Sequence, residues 1–155
     1  MPELLRKELG EFSSIVCFKA AISGMEEALG EKATAIALTT AGRARGKKLA
    51  ETLGLVGASI SLENAAEKLA VALGAEGTRL CKIEKILSEG DVIKVYTSET
   101  LCSAGEPLNS TRKCTFTMGA VWGAIEQILG KRLKGVHSES VLRGGDYDVF
   151  EFTLL

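Results

Sequence analysis

Apolar residues recur every three or four positions through the first half of the chain and every second position in later stretches. That pattern predicts helices first and strands afterwards. From Pro2 to Leu29 the spacing predicts a helix, interrupted or bent at Gly10. Its second part sets Ile15, Phe18, Ala21, Ile22, Met25 and Leu29 on one core-facing stripe, and Gly30 supplies the stop. A second helix is predicted from Ala33 to Leu53, apolar at first and then basic through Arg43, Arg45, Lys47 and Lys48. Gly42 and Gly46 stand four apart on it, a small surface that permits close packing, and Gly54 ends it before the loop Val56-Gly57-Ala58. A third helix starts near Ser61, where a capping serine precedes acidic residues in the first turn, and stops at Gly74.

The period then changes. Thr78 to Leu87 and Val92 to Thr97 read as strands joined by Ser88-Glu89-Gly90-Asp91, a hairpin signal with glycine in the loop. A polar connection covers residues 98 to 113. After a helix from Cys114 to Leu129 come Leu133 to Val141 and Tyr147 to Leu154, two more strands around the turn Arg143-Gly144-Gly145-Asp146. Strands that arrive as hairpins pair antiparallel, so the expected class is α+β: a four-stranded antiparallel sheet of two hairpins with about four helices.

The fourth helix is the most informative segment. Cys114 to Ile125 carries no charge, holds Gly119 and Gly123 one turn apart, and contains the single tryptophan, Trp122. A glycine inside a helix costs roughly 1 kcal/mol against alanine, so two on one face need a compensating gain. A close crossing with another helix or a second subunit supplies one, and so does a ligand lying against the backbone. Gly130 ends this helix, with Lys131 and Arg132 behind it.

Composition narrows the function. The chain has 155 residues, enough to bury a substantial core, with 46% apolar and 25% charged residues. Nineteen basic against twenty acidic side chains give a formal charge of −1. No basic run compensates, so nucleic acid is not an expected partner. No uncharged apolar run reaches the roughly 18 to 20 residues that cross a bilayer, and the charged N-terminus lacks a signal-peptide core. The expectation is a cytoplasmic chain that is not transmembrane. There Cys17, Cys81, Cys102 and Cys114 would stay reduced.

Four stretches carry a family likeness. They are Ala41-Gly-Arg-Ala-Arg-Gly46 with Leu49; Cys102; Cys114 through Ile125 with Leu129-Gly130; and Glu139 followed by Gly145-Asp146 and Phe150-Glu151-Phe152. Together they make the sequence similar to the 4-vinyl reductase domain family, also called hydrocarbon-binding proteins, which shares its fold with core subunits of the TRAPP vesicle-tethering complex. The resemblance implies one ligand-binding domain over residues 1–155, a homodimer through the helical side, and a buried pocket for a small apolar molecule. Family members often carry two further cysteines. Here those places hold Val141-Leu142 and Val149-Phe150.

Candidate chemistry is sparse. A thiol at a helix N-terminus beside Arg112 and Lys113 should favour thiolate. Cys102 and Cys114 are therefore candidates for ligand attachment or redox sensing, against the plainer reading of small buried hydrophobes and a weakly supported metal site. His137 and Glu139 lie two apart on a strand and share a face. A solvent-facing or cross-strand pair is the plain reading, and an acid/base couple or a pH sensor the sharper one. Arg43, Arg45, Lys47 and Lys48 lack the context of a phosphate loop and read as a solvated helix face. There is no G-x-S-x-G or H-E-x-x-H motif.

The expected function is a non-catalytic binding module for a hydrophobic or tetrapyrrole-like small molecule, with no cofactor identified and no catalytic or metal residues assigned. Its pocket would lie beside the fourth helix, with Cys102, Cys114, Phe116, Met118, Gly119, Trp122, Gly123 and Glu139 as candidate ligand-binding residues. The alternatives are a scaffold or assembly factor using the same helices as interfaces, and a tetrapyrrole vinyl reductase.

Overall fold

The computed structural model describes residues 6–9, 14–57 and 61–155. Among these the element order is α1 (Ile15–Leu29), α2 (Glu31–Thr52), α3 (Leu62–Leu73), β1 (Lys82–Glu89), β2 (Val92–Ser98), α4 (Thr115–Leu129), β3 (Leu133–Glu139) and β4 (Asp148–Leu154). The four strands form an antiparallel sheet in the order β1-β2-β4-β3. This is the α+β class expected from the hairpins. In the helix expected over Pro2–Leu29, residues 7–9 form a turn, while 1–5 and 10–13, Gly10 included, lie outside the described residues, as does Ala58.

Local chemistry sets the helix ends. The Ser14 hydroxyl accepts from the Cys17 N–H at 3.1 Å, and the Ser61 hydroxyl from the Asn64 N–H at 3.2 Å, each satisfying a first-turn donor. Gly30, at φ +86°, closes α1 by donating to the Glu26 carbonyl and starts α2 in the same step. Gly130 ends α4 in the left-handed region, where glycine has no Cβ to clash.

Two expected strands are shorter than their pattern. Residues 78 to 81 turn back on α3 instead of starting β1: Thr78 N–H donates to the Ala72 carbonyl, and Leu80 and Cys81 N–H both reach Leu73. Unsatisfied carbonyls at the helix end outcompete strand pairing there. At the far end β3 stops at Glu139, because Ser140 caps a short 3-10 turn at Val141–Arg143.

The inner face of the sheet presents Ile93, Val95, Phe150, Phe152 and Leu133 to α3 and α4, which answer with Leu69, Leu73, Val121, Ala124, Ile125 and Ile128. Helix α2 lies on α4, and their crossing uses all four predicted glycines. A Cβ on Gly119 would stand 2.6 Å from the Thr39 carbonyl oxygen, and one on Gly42 would stand 3.1 Å from the Gly119 Cα. Gly46 and Gly123 press equally on the Ala120–Ala124 and Arg43 backbones. The compensating gain is therefore close packing within the chain, which leaves no room for a ligand between these backbones.

The stripe on α1 is narrower than its spacing implied. Ile22 is buried, Phe18 and Met25 are half-buried against Leu38, Leu101 and Phe116, but Ile15 and Leu29 are exposed. Among the described residues α1 packs through Phe18, Ile22 and Met25, and the ends of its stripe face outward.

Candidate functional site

The connection from Thr100 to Lys113 folds under the N-terminal end of α4. It brings Cys102 to Cys114, the N-cap residue, as a disulfide with a Cα–Cα distance of 5.1 Å, inside the bridging range. This corrects the expectation of reduced thiols: burial of Leu101 and Cys102 pins the polar connection against the helix. While bonded, neither sulfur is a thiolate. Of the remaining cysteines Cys17 is exposed and Cys81 is buried. Burial, with a smaller push from Asp148, raises the Cys81 thiol to about 12, so it is inert.

A buried polar network stands behind the disulfide. The His137 Nδ1 accepts from the Cys114 N–H at 3.4 Å, which leaves the proton on Nε2 to donate to Asp148 Oδ1 at 3.1 Å. The Thr100 hydroxyl donates to Asp148 Oδ2 at 3.1 Å. Burial alone would raise the Asp148 carboxyl. Hydrogen bonds from His137, Ser140 and Thr100 outweigh it and hold the group below its usual range. The His137 ring packs edge-on against Phe150 at 5.3 Å. The expected pairing of His137 with Glu139 is thus incorrect: the imidazole pairs across strands with Asp148. His137 keeps the inward alternation of Leu133 and Gly135, and a register irregularity after it leaves Glu139 exposed opposite Val149.

The donor atoms of Cys114, His137 and Asp148 lie within 4.8 Å of one another, the one cluster among the described residues with three possible metal ligands. A thiolate, an imidazole and a carboxylate form a donor set that suits zinc. In this structure the Cys114 sulfur is committed to Cys102 and the His137 Nδ1 to a backbone N–H.

On the other side of the disulfide lies a cavity of about 310 Å³ between α1, α2 and the start of α4. Ile22, Leu38, Leu101 and Phe116 give it apolar walls, and Cys102 and Cys114 form one end. An ion-pair cluster holds its rim. Lys19 reaches Glu106 at 2.5 Å and the Cys102 carbonyl at 3.3 Å, while Arg112 bonds Glu26 at 2.8 Å and also Glu106. Burial opposes ionisation of Glu106, but Lys19 and Arg112 more than compensate and lower its carboxyl. Thr34 and Thr117 also line the cavity, and their buried hydroxyls have no hydrogen-bond partner among the described residues.

Three of the eight sequence candidates, Cys102, Cys114 and Phe116, border this cavity. Met118, Gly119, Trp122, Gly123 and Glu139 do not. The Trp122 ring is enclosed by other groups: it lies under the Arg43 guanidinium at 4.4 Å, against Phe152 at 6.1 Å and over Gly135, and its N–H donates to the Leu133 carbonyl at 3.0 Å. Arg43 also corrects the solvated-face reading of its helix. Its guanidinium meets buried Glu126 at 2.6 Å, and only Arg45, Lys47 and Lys48 remain exposed. The sequence reading missed Thr34, Thr117, Thr100 and Asp148. Asp148 left one clue, an acid directly before the apolar Val149-Phe150 pair of its strand.

The phenol-responsive sensory domain of the transcription activator PoxR, solved with phenol, superposes with a TM-score of 0.70 at 13% identity, over 93% of this chain and 76% of that one. A trafficking protein particle complex subunit 3 from Naegleria fowleri, covalently bound to palmitic acid, superposes at 0.60 and 14% identity, over 91% and 92%. No family model and no curated protein matches the sequence. The fold is therefore that of these two structures. Among the described residues no helix is long and apolar enough to cross a membrane.

Proposed function

We propose that this chain is a small-molecule binding module of the 4-vinyl reductase type, without catalysis of its own, and that the cavity capped by Cys102–Cys114 is its site. The observation that carries this reading is a space of about 310 Å³ whose walls mix apolar residues such as Ile22, Leu38, Leu101 and Phe116 with polar ones, beside ion pairs that fix its rim. Its volume falls at the low end of ligand pockets, which favours a compact guest over a tetrapyrrole. Support also comes from the two similar structures, since each carries a small molecule on this fold, phenol in one and palmitic acid in the other. Native mass spectrometry of the purified protein, with extraction and mass analysis of what it releases, tests the reading. A stoichiometric small molecule is expected. A bare chain whose melting temperature no compact apolar compound raises would refute it.

A second reading, an assembly factor or homodimer, has its own observation. Val16 and Leu29 on α1 and Ile36 on α2 are 74%, 63% and 62% exposed, large apolar side chains that a partner would cover. Light scattering across a concentration series tests it, and a strictly monomeric chain contradicts it.

A further inference from the structure

Asp148 begins β4 with its side chain 0% exposed, against a His137 imidazole that is 3% exposed. A carboxylate removed from water in this way is normally answered by a cation or a metal. Among the described residues no lysine or arginine pairs with it. It is held by His137 Nε2 and the Thr100 hydroxyl, each at 3.1 Å, and by Ser140. With Nδ1 accepting from the Cys114 N–H, the imidazole offers one N–H and no positive charge. Two sulfurs complete the surroundings. The Thr100 oxygen that reaches Asp148 lies 3.1 Å from the Cys102 sulfur and 3.6 Å from that of Cys114. Donor atoms of Cys114, His137 and Asp148 fall within 4.8 Å of one another.

The disulfide and a metal ion compete for the same atoms. In the bridged chain the Cys114 sulfur is bonded to Cys102 and carries no charge for a cation. Reduction changes that. A phosphine passes two electrons to the S–S bond and takes the oxygen of a water molecule, whose two protons complete two thiols. A divalent ion that binds both sulfurs displaces those protons. We infer that Cys102, Cys114, His137 and Asp148 form a zinc site in the reduced chain, and that the disulfide excludes the ion from the oxidised one. Two thiolates, an imidazole and a carboxylate suit the tetrahedral preference of zinc. The bond from the Cys114 N–H to the imidazole is long, 3.4 Å, so Nδ1 is the ring nitrogen that is readily given up to the ion. Hydrogen peroxide reverses the exchange: the sulfurs lose two electrons and join, Zn2+ leaves, and the peroxide takes up two protons to become two waters. The inference does not depend on what the neighbouring cavity holds.

The test loads the full chain with Co2+, whose sulfur-to-metal charge-transfer band reports thiolate ligation, and then with Zn2+. The parent for all samples carries Cys17→Ser, which removes the exposed thiol. After phosphine reduction one ion per chain should bind, with the intense visible absorption of four-coordinate cobalt. Zinc should displace the cobalt and raise the melting temperature. The oxidised chain should bind no ion, and its melting should not respond to zinc. Peroxide should release the zinc and return the count of free thiols to that of the oxidised chain. His137→Gln and Asp148→Asn should each weaken binding by at least about tenfold, and Cys114→Ser should lose the thiolate band in large part. A reduced parent chain without that band overturns the inference and leaves the disulfide a purely structural link. Equal metal binding by the oxidised chain, or undiminished binding by His137→Gln and Asp148→Asn, overturns it too. Should those variants not fold, the reduced and oxidised parent chains side by side still decide.

Discussion

Arg43 on α2 and Glu126 on α4 meet at 2.6 Å beside the glycine-lined crossing, and the other Glu126 oxygen accepts the Leu133 N–H at 2.8 Å. One buried carboxylate thus joins two helices to the first residue of β3. Glu126→Ala leaves a guanidinium and a buried N–H without their partner. Chemical denaturation should show a loss of about 2–3 kcal/mol. A change near zero would mean that solvent already carries the Arg43 charge.

The crossing itself predicts a reversal of the usual helix rule. Alanine for glycine on an open helix stabilises by roughly 0.5–1 kcal/mol, and Gly24→Ala on α1, with nothing within 4 Å of the new Cβ, should do so. Gly119→Ala should instead destabilise by about 1–3 kcal/mol, because its Cβ meets the Thr39 carbonyl oxygen at 2.6 Å. Thermal melts of the two variants side by side check the opposite signs.

Cys102 and Cys114 close a loop with a sequence separation of 12. A loop of that size constrains the unfolded chain by about 3 kcal/mol. Urea titration with and without a thiol reductant should show a loss of that order. The double Cys102→Ser, Cys114→Ser variant should match the reduced protein and ignore the reductant.

Asp148 and Glu106 set the acid limit. Both carboxyls are held below their ordinary values of 3.8 and 4.5 in the folded chain. Their contribution is therefore complete above those values and disappears as pH falls through the lower folded-state values. Their share of the stability should be constant from neutrality to about pH 5 and then decline. Asp148→Asn should be less stable at neutral pH and show a shallower acid limb, measured by denaturation across that range.

Much of the architecture was legible in the sequence because it follows from period and punctuation. Gly30, Gly74 and Gly130 marked helix ends, and alternation within Val92–Thr97 and Tyr147–Leu154 marked the two central strands, which pair over Val92–Thr97 and Asp148–Thr153. The four glycines announced a close crossing, although spacing alone could not say what crossed them. The site was less legible. The cavity depends on where the connection 98–113 folds, and that is decided by distant pairs such as Lys19 with Glu106 and Cys102 with Cys114. The pairing of His137 with Glu139 was misread because a strand irregularity between them, invisible to a two-residue period, took Glu139 off the inner face that His137 shares with Leu133. Trp122 drew attention by its rarity, yet Arg43, Gly135 and Phe152 fill the space around it.

The central claim is that the hollow between α1, α2 and the start of α4 holds a small molecule. Ala35 lines that hollow, half-buried on α2, so Ala35→Phe should fill it without touching the disulfide or the rim ion pairs. Native mass spectrometry of wild type beside Ala35→Phe is the most direct measurement. The account predicts a bound small molecule on wild type and none on the folded variant; equal occupancy in both would contradict it.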